Sequence, residues 1–522
     1  MTNTATNAFS NAREAAAVGM SIAFTAQKSP DRPAILSERG DRSFAELNAQ
    51  ANRLARELRA AGLRAGDAIA LMCSNRPEFA EVFAACLRAG FRLTCLNWHL
   101  KGDEVRYIVD DCEARAFIVD ARCGAAAHVV ADNDRLVSRL VVRPVDAFDD
   151  RFDDYARVLS RHSGSDLDDP VRGSTMLYTS GTTGRPKGVR RNPITRPAQQ
   201  SATDIAGAFE RGESLALCTG PLYHAAPLQT NLYLPLLRGV GVVLMDKWDA
   251  EQTLALIERH RITHTHMVAT MFHRLLALPR DVRNRYDVSS LVFVIHGAAP
   301  TPVHVKRAML DWFGPVIYEY YAATEGGGTS ITPEQWLRKP GSVGPPNPGR
   351  AVVVLDDDHK PAPTGTTGTV YFTTPDEGAF EYFKSPEKTA ASFAGDLFTL
   401  GDHGYLDEDG FLFLTGRTSE LIIAGGVNIY PAEIDAALLM HPAVGDVACV
   451  GVPNDERGEE VKAVVQLADG FAESGELADE LIEFCRAQLA KFKCPRSVDF
   501  DPMLPRSDAG KVLRRIVRDR YW

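Results

Sequence analysis

Short apolar runs alternate with longer segments of helical period through roughly the first four hundred residues of the chain. The run at 68–72, Ala-Ile-Ala-Leu-Met, predicts a buried strand, and 77–87, with Phe79, Val82, Phe83 and Cys86 on one face, predicts the helix after it. Further strand-like runs fall at 116–119, 214–218, 240–244, 265–268, 291–295 and 316–318. Strand and helix in alternation imply an α/β fold of layered, largely parallel sheets with helices between them. Near 366–372 the rhythm changes to shorter strands with Gly- and Asp-rich turns, such as Asp407-Glu408-Asp409-Gly410, which predicts a small antiparallel subdomain. Beyond Gly416 about a hundred residues carry strand patterns at 447–452 and 463–467 and a helical one at 476–491, enough for a mobile α+β domain of their own. The expected organisation is an N-terminal domain over 1–416 and a C-terminal domain over 417–522. No internal repeat or low-complexity tract interrupts it.

Composition narrows the function classes. A chain of 522 residues with 45% apolar content exceeds what a single core serves. Fifty-eight basic against 68 acidic residues give a formal charge of −10 with no long basic run, so nucleic acid is not expected as a partner. Any anion site must gather positive charge locally. Nine cysteines, an odd number with no C-x-x-C pair, read as reduced buried thiols, neither a zinc site nor a disulfide framework. Residues 15–24 form a short apolar run, but Glu14 and Ser21 lie in or beside it and no basic stretch precedes it, so a cleaved leader is not expected. No run reaches the roughly 18 apolar residues of a membrane span. A cytoplasmic protein, at most peripheral to a membrane, fits these features.

The most informative chemistry lies in Tyr178-Thr179-Ser180-Gly181-Thr182-Thr183-Gly184-Arg185-Pro186-Lys187-Gly188-Val189. Glycines let backbone N–H groups approach an anion, hydroxyls donate further hydrogen bonds, and a lysine adds full charge. Each hydrogen bond to a charged group contributes about 1.5–3 kcal/mol, so several converging donors hold a polyphosphate against water. The apolar stretch at 175–178 reads as a buried strand, which places the donors at a strand's carboxyl end. The P-loop pattern does not fit: two residues separate Gly181 from Gly184, and no Ser or Thr follows Lys187. Taken alone, the same residues also spell a surface loop.

This segment resembles the phosphate-loop signature of the adenylate-forming superfamily, which includes acyl-CoA synthetases, luciferase-type enzymes and the adenylation domains of peptide synthetases. Six other segments match in family order, from about residue 30 to the C-terminus. The resemblance implies that Thr179, Ser180, Gly181, Thr182, Thr183, Gly184 and Lys187 hold ATP phosphates. Tyr320-Tyr321-Ala322-Ala323-Thr324-Glu325 is similar to the family's Y-G-x-T-E motif, which puts Tyr321 against adenine, Thr324 on the α-phosphate and Glu325 on Mg²⁺. An aromatic face suits a purine, and a carboxylate is a hard oxygen ligand. Ala322 stands where the family has glycine, and its methyl would narrow the acyl channel. His296-Gly297-Ala298-Ala299-Pro300 resembles the G-G/A-A-P turn, so Gly297, Ala298 and Ala299 are expected against the adenine and acyl sites. Pro221-Leu222-Tyr223-His224 looks like the P-L/F-x-H segment whose histidine lines the carboxylate pocket and swings as a gate, although a lone histidine among apolar residues is more often a satisfied core side chain. Asp402 matches the T-G-D aspartate that bonds both ribose hydroxyls, with Leu400 in place of the threonine, and Arg417 matches an arginine that also reaches the ribose.

The tail adds two matches. The segment at 422–434 resembles the motif that faces the site during thioester formation, where Gly425 and Gly426 would let a pantetheine arm pass. The segment at 504–512 resembles the C-terminal motif whose lysine, here Lys511, relieves the repulsion between an attacking carboxylate and a polyphosphate. Ser419 occupies the hinge position that is usually lysine or aspartate, and a serine still absorbs a φ/ψ change. The resemblance therefore implies an acid–thiol ligase with catalytic Lys511, Thr324, Glu325 and His224. ATP, Mg²⁺ and coenzyme A are the implied cofactors. The expected substrate is a carboxylic acid, medium- or long-chain fatty before aryl or steroid-type. A ligase loading a carrier protein and a catalytically silent nucleotide- or acyl-binding protein are the alternatives. Self-association as a homodimer stays open.

Overall fold

The computed structural model describes residues 9–143, 148–179, 186–191, 214–375, 379–417, 420–424, 427–455, 457–507 and 510–522. Two sheets dominate the first part of the chain. A six-stranded sheet runs Asp153–Asp154, Ser138–Val142, Ala114–Asp120, Ala68–Met72, Arg92–Cys95, Ser174–Thr175, every pair parallel. An eight-stranded sheet has a parallel centre of Ile317–Ala323, Phe293–His296, His264–Met267, Leu215–Cys218, Gly241–Leu244 and Pro33–Ser37, with one antiparallel strand at each edge.

Both sheets are covered on both faces, which is why their strands read as unbroken apolar runs. Helices Phe44–Ala60 and Pro77–Ala89 fill the layer between them, where Leu47, Phe79 and Phe83 meet Ile69 and Leu71 of one sheet and Ile35 and Val242 of the other. The alternate residues Ala70, Met72, Phe117 and Val119 face the outer helix Gly102–Asp111. Leu217, Val243, Met267 and Val294 likewise face helices Ala250–His260, Ala269–Ala277 and Val303–Phe313. The middle helices have legible ends. Ser43 and Glu46 form a capping box at the start of Phe44–Ala60, and Pro77 opens the other helix while Gly90, at φ +80°, closes it.

The antiparallel subdomain is present as Val352–Leu355, Gly368–Thr373, Leu397–Leu406, Phe393–Ala394 and Leu412–Arg417. Next comes an α+β tail whose sheet pairs the long strands Val444–Asn454 and Gly458–Leu467 and packs helices Pro431–Leu438 and Gly475–Arg486 through Ile434, Leu438, Leu481 and Cys485. Arg514 fastens the start of the tail: its guanidinium donates to Glu420 at 3.2 Å, to Asp435 at 2.6 Å and to the Cys449 carbonyl at 2.6 Å. The expected fold class therefore holds. All nine cysteines are buried and free. Among the described residues, no helix is long and apolar enough to cross a membrane.

Three local expectations need correction. The stretch at 175–178 is not one strand: it breaks at the fully buried Met176, with Ser174–Thr175 joining the parallel sheet and Leu177–Thr179 turning into a separate three-stranded antiparallel sheet. The segment still begins at a strand's carboxyl end, but that strand is antiparallel, with Thr179 opposite Lys187. The strand expected to stop at 318 continues to Ala323, so Tyr321 and Ala322 are strand residues. The tail helix ends at Arg486, short of 491; the residues after it turn back, burying Cys494, and set Ser497–Phe500 beside Gly458–Leu467.

Candidate active site

Leu215–Cys218, His264–Met267, Phe293–His296 and Ile317–Ala323 run parallel and side by side, so their carboxyl ends share one rim. A cleft of about 2480 Å³ opens there, lined by Ala322 of this sheet, by Ala298, Thr324 and Glu325 from the turns that follow its strands, by His224 from the segment after Leu215–Cys218, and by Gly510 from the tail. Ligands in open α/β sheets bind at such a rim.

The turn after Phe293–His296 is tightly fitted. A Cβ on Gly297 would lie 2.6 Å from the ring and the carbonyl oxygen of Tyr320, so only glycine fits. Ala298 adopts φ +67°, a left-handed conformation that costs a residue with a side chain about 1–2 kcal/mol. Tyr320 Oη and His266 Nε2 are hydrogen-bonded at 3.1 Å, and burial pulls His266 down to about 4, so this contact is between neutral groups near pH 7. Behind the turn, Lys306 Nζ donates to Glu319 Oε2 at 2.5 Å, and His296 Nε2 lies 3.4 Å from the same carboxylate. All three side chains are buried. Burial, helped by the Lys306 charge, holds His296 well below the usual histidine range. This pair ties helix Val303–Phe313 to strand Ile317–Ala323, at whose carboxyl end Thr324 and Glu325 turn into the antiparallel strand Gly326–Ile331.

At one end of the rim, Asp402 and Arg417 face each other across antiparallel strands. Arg417 Nε donates to Asp402 Oδ1 at 2.8 Å, and Tyr321 Oη donates to Asp402 Oδ2 at 2.6 Å. Burial raises the Tyr321 phenol, and the adjacent carboxylate raises it further. Burial opposes the Arg417 charge, yet Asp402 and Glu420 outweigh it and leave the pKa raised. A carboxylate has about four lone-pair sites, so Asp402 keeps capacity for two more donors.

Next to the glycine- and hydroxyl-rich segment, Lys187 Nζ lies 4.8 Å from the centre of the Tyr382 ring, and Tyr382 Oη donates to Glu325 Oε1 at 2.9 Å. Arg191 Nη2 donates to the Thr324 carbonyl at 2.9 Å. Burial lowers the Lys187 pKa, Lys388 lowers it further, and Glu325 opposes the shift. Among the described residues no group of three His, Cys, Asp or Glu could hold a metal ion, and Glu325 contributes a single carboxylate. One hard oxygen donor suits Mg²⁺, which takes most of its shell from waters and phosphate oxygens.

From the tail, a small hairpin presents Lys511. The Ser507 N–H donates to the Lys511 carbonyl at 2.8 Å, Arg506 donates to the Gly510 carbonyl at 2.8 Å, and Gly510, at φ +78°, sits so close to Thr270 that a Cβ would lie 2.8 Å from its hydroxyl. Lys511 keeps contact with solvent, but the protein packed around it lowers its pKa, as do Arg417 and Arg514, against Glu420 and Asp402. Tyr430, also from the tail, packs on Gly416, and its ring lies 5.7 Å from that of His403.

The family description "AMP-binding enzyme" matches residues 22–380, and "AMP-binding enzyme C-terminal domain" matches 433–511. The chain belongs to the AMP-binding enzyme family. It is a ligase of the adenylate-forming superfamily. A 2-succinylbenzoate–CoA ligase of Geobacillus kaustophilus is 35% identical over 490 residues, covering 93% of this chain and 94% of its own. A fatty acid–[acyl-carrier-protein] ligase of Streptomyces coeruleorubidus is 31% identical over 516 residues, covering 96% and 95%. The crystal structure of ATP-bound MatB from Rhodopseudomonas palustris superposes with a TM-score of 0.81 at 28% identity, covering 96% and 99%.

In this AMP-binding enzyme the structure brings together Thr179, Lys187, His224, Ala298, Ala322, Thr324, Glu325 and Arg417 as lining of one cleft. Gly297, Tyr321 and Asp402 stand directly behind that wall, and Ala299 follows Ala298 in the turn. His224 caps the short helix Ala225–Pro227, its ring 4.6 Å from that of Tyr223, just ahead of a π-helical turn at Leu228–Tyr233. Ser180, Gly181, Thr182, Thr183, Gly184, Ser419, Gly425 and Gly426 lie outside the described residues. Four contributors carried no motif in the sequence: Tyr382, which orients Glu325; Arg191; His266, which holds Tyr320; and the Lys306–Glu319 pair. A basic residue two positions beyond Val189, on the strand face of Lys187, was the one available signal.

Proposed function

We propose that this AMP-binding enzyme is a carboxylate–CoA ligase acting in the cytoplasm on an acid with an apolar body, a medium- or long-chain fatty acid in the first instance and an aryl or steroid-type acid in the second. The observation that carries the reading is convergence: Thr324 and Glu325 from the sheet end and Arg417 line one cleft together with Gly510 of the tail, the neighbour of Lys511, and Arg417 and Tyr321 both hold Asp402 behind its wall. Beyond His224 the wall includes Tyr223, Ala225, Ala226, Val268 and Met271, a largely apolar surface that suits an acid with an apolar body.

In the first half-reaction a carboxylate oxygen attacks the α-phosphorus of ATP, the bond to the β-phosphate oxygen breaks, and pyrophosphate leaves. Lys511 sits between the two anions and offsets their repulsion, while Thr324 donates to the α-phosphate. Asp402 accepts from the ribose hydroxyls, and the hydroxyl- and glycine-rich segment 179–187 takes the departing pyrophosphate. Bound Mg²⁺ would be held by Glu325 and phosphate oxygens and would neutralise phosphate charge. In the second half-reaction the domain 417–522 turns about 417–419, withdrawing Lys511 and bringing Gly425 and Gly426 to the cleft. The sulfur of coenzyme A attacks the acyl carbon, the bond to AMP breaks, and AMP leaves. A carrier-protein thiol is the second reading, favoured by the relative from Streptomyces coeruleorubidus. The test is acid-dependent ATP–pyrophosphate exchange across fatty and aryl acids, followed by AMP release with coenzyme A. Exchange without CoA-dependent AMP release would move the assignment to the carrier-protein reading, and no exchange with any acid would remove the ligase reading.

A further inference from the structure

Strand Lys187–Arg191 alternates its side chains, so Lys187, Val189 and Arg191 share a face. The other face spends its charge locally: Arg190 Nε donates to Glu381 Oε1 at 2.5 Å. Arg191 behaves differently. Both arginines line the cleft, but Arg191 uses one N–H on the Thr324 carbonyl at 2.9 Å and, among the described residues, forms no ion pair with a carboxylate. A guanidinium has five N–H donors, and among the described residues the Thr324 carbonyl is the only hydrogen-bond partner of this one, which leaves donors for a ligand. A Cβ on Gly326 would lie 3.8 Å from Arg191 Nη2, which places the guanidinium directly against the turn that carries Thr324 and Glu325.

We infer that Arg191 is a second cation of the polyphosphate subsite, holding the Thr324–Glu325 turn through its carbonyl and binding β- and γ-phosphate oxygens with its remaining donors. This rests on the adenylating function proposed above. The surroundings support it: burial and the charge of Arg350 lower the Arg191 pKa, and only Glu325 works the other way. A purely structural donor to a carbonyl gains nothing from a full charge in such a place. A bidentate anion supplies the missing counter-charge. Lys187 and Arg191 then flank Glu325 from one strand, which distributes positive charge along the departing pyrophosphate.

The test compares Arg191→Met and Arg191→Lys with the unmodified enzyme in three assays: ATP–pyrophosphate exchange at varied pyrophosphate, adenylation at varied ATP, and thioester formation from premade acyl-AMP and coenzyme A. The expected result for Arg191→Met is a rise of about tenfold or more in KM for both pyrophosphate and ATP. Its thioester half-reaction, which involves no polyphosphate, should stay within about twofold, and Arg191→Lys, which keeps the charge but loses the planar fork, should show an intermediate rise of about threefold in KM for pyrophosphate. Unchanged KM values, or equal loss in both half-reactions, would overturn the assignment. If Arg191→Met fails to fold, Arg191→Lys alone decides: lost bidentate geometry raises KM for pyrophosphate specifically, and an unchanged KM refutes the role. Absence of exchange in the unmodified enzyme would instead sink the adenylating function itself.

Discussion

Asp402→Asn isolates the ribose contact. The carboxylate accepts from Arg417 at 2.8 Å and from Tyr321 at 2.6 Å while only 5% exposed, and the account gives it the two ribose hydroxyls as well. An amide keeps one acceptor oxygen and no charge, so it cannot serve Arg417, Tyr321 and a diol together. Hydrogen bonds to charged groups are worth about 1.5–3 kcal/mol, so losing one to a ribose hydroxyl corresponds to about 10–150-fold in kcat/KM. Loss of the Arg417 and Tyr321 contacts also lowers stability, so a change in ATP kinetics alone would not identify the cause. Comparing ATP with 2′-deoxy-ATP in both proteins does. The unmodified enzyme should prefer ATP by about tenfold or more, and Asp402→Asn should compress that preference to below about fivefold, because the deleted hydroxyl no longer has a charged acceptor to lose. If both proteins discriminate equally, Asp402 does not bond the ribose and its geometry with Arg417 and Tyr321 is structural alone.

Two other outcomes follow from the same geometry. Because the protein packed around Lys511 and the nearby Arg417 lower its pKa below the ordinary 10.5, its charge is lost earlier as pH rises, so the alkaline limb of kcat/KM for adenylation should fall below that value in the free enzyme. Bound polyphosphate restores negative charge and should move the limb of kcat upward, while Lys511→Arg should remove it from the accessible range; coincident limbs in all three profiles would contradict the assignment. Gly297→Ala puts a methyl 2.6 Å from the Tyr320 ring and should displace Tyr320 from His266 at an overpacking cost of about 1–3 kcal/mol. A thermal melt together with KM for ATP checks this, and wild-type values in both would show that the turn relaxes freely.

The layered sheets were legible because strands buried on both faces read as continuous apolar runs, and Ala68–Met72 falls at its expected bounds. The switch at Met176 was not legible, because a fully buried methionine looks the same whether a strand continues or changes sheet. Motif residues were found where chemistry and spacing lie close together in sequence, as in Thr324 with Glu325. Residues that orient them come from distant segments: Tyr382 reaches Glu325 from 57 positions away, Arg191 reaches Thr324 from 133, and His266 reaches Tyr320 from 54. A single hydroxyl or guanidinium contact across such separations leaves no local pattern.

The central claim is that Lys511 serves the first half-reaction and withdraws for the second. Single-turnover measurement of both halves in Lys511→Ala tests it most directly. The account predicts that adenylation from ATP and acid falls by at least about a hundredfold, while thioester formation from premade acyl-AMP and coenzyme A stays within about twofold. Equal loss in the two half-reactions, or adenylation that survives, would contradict it.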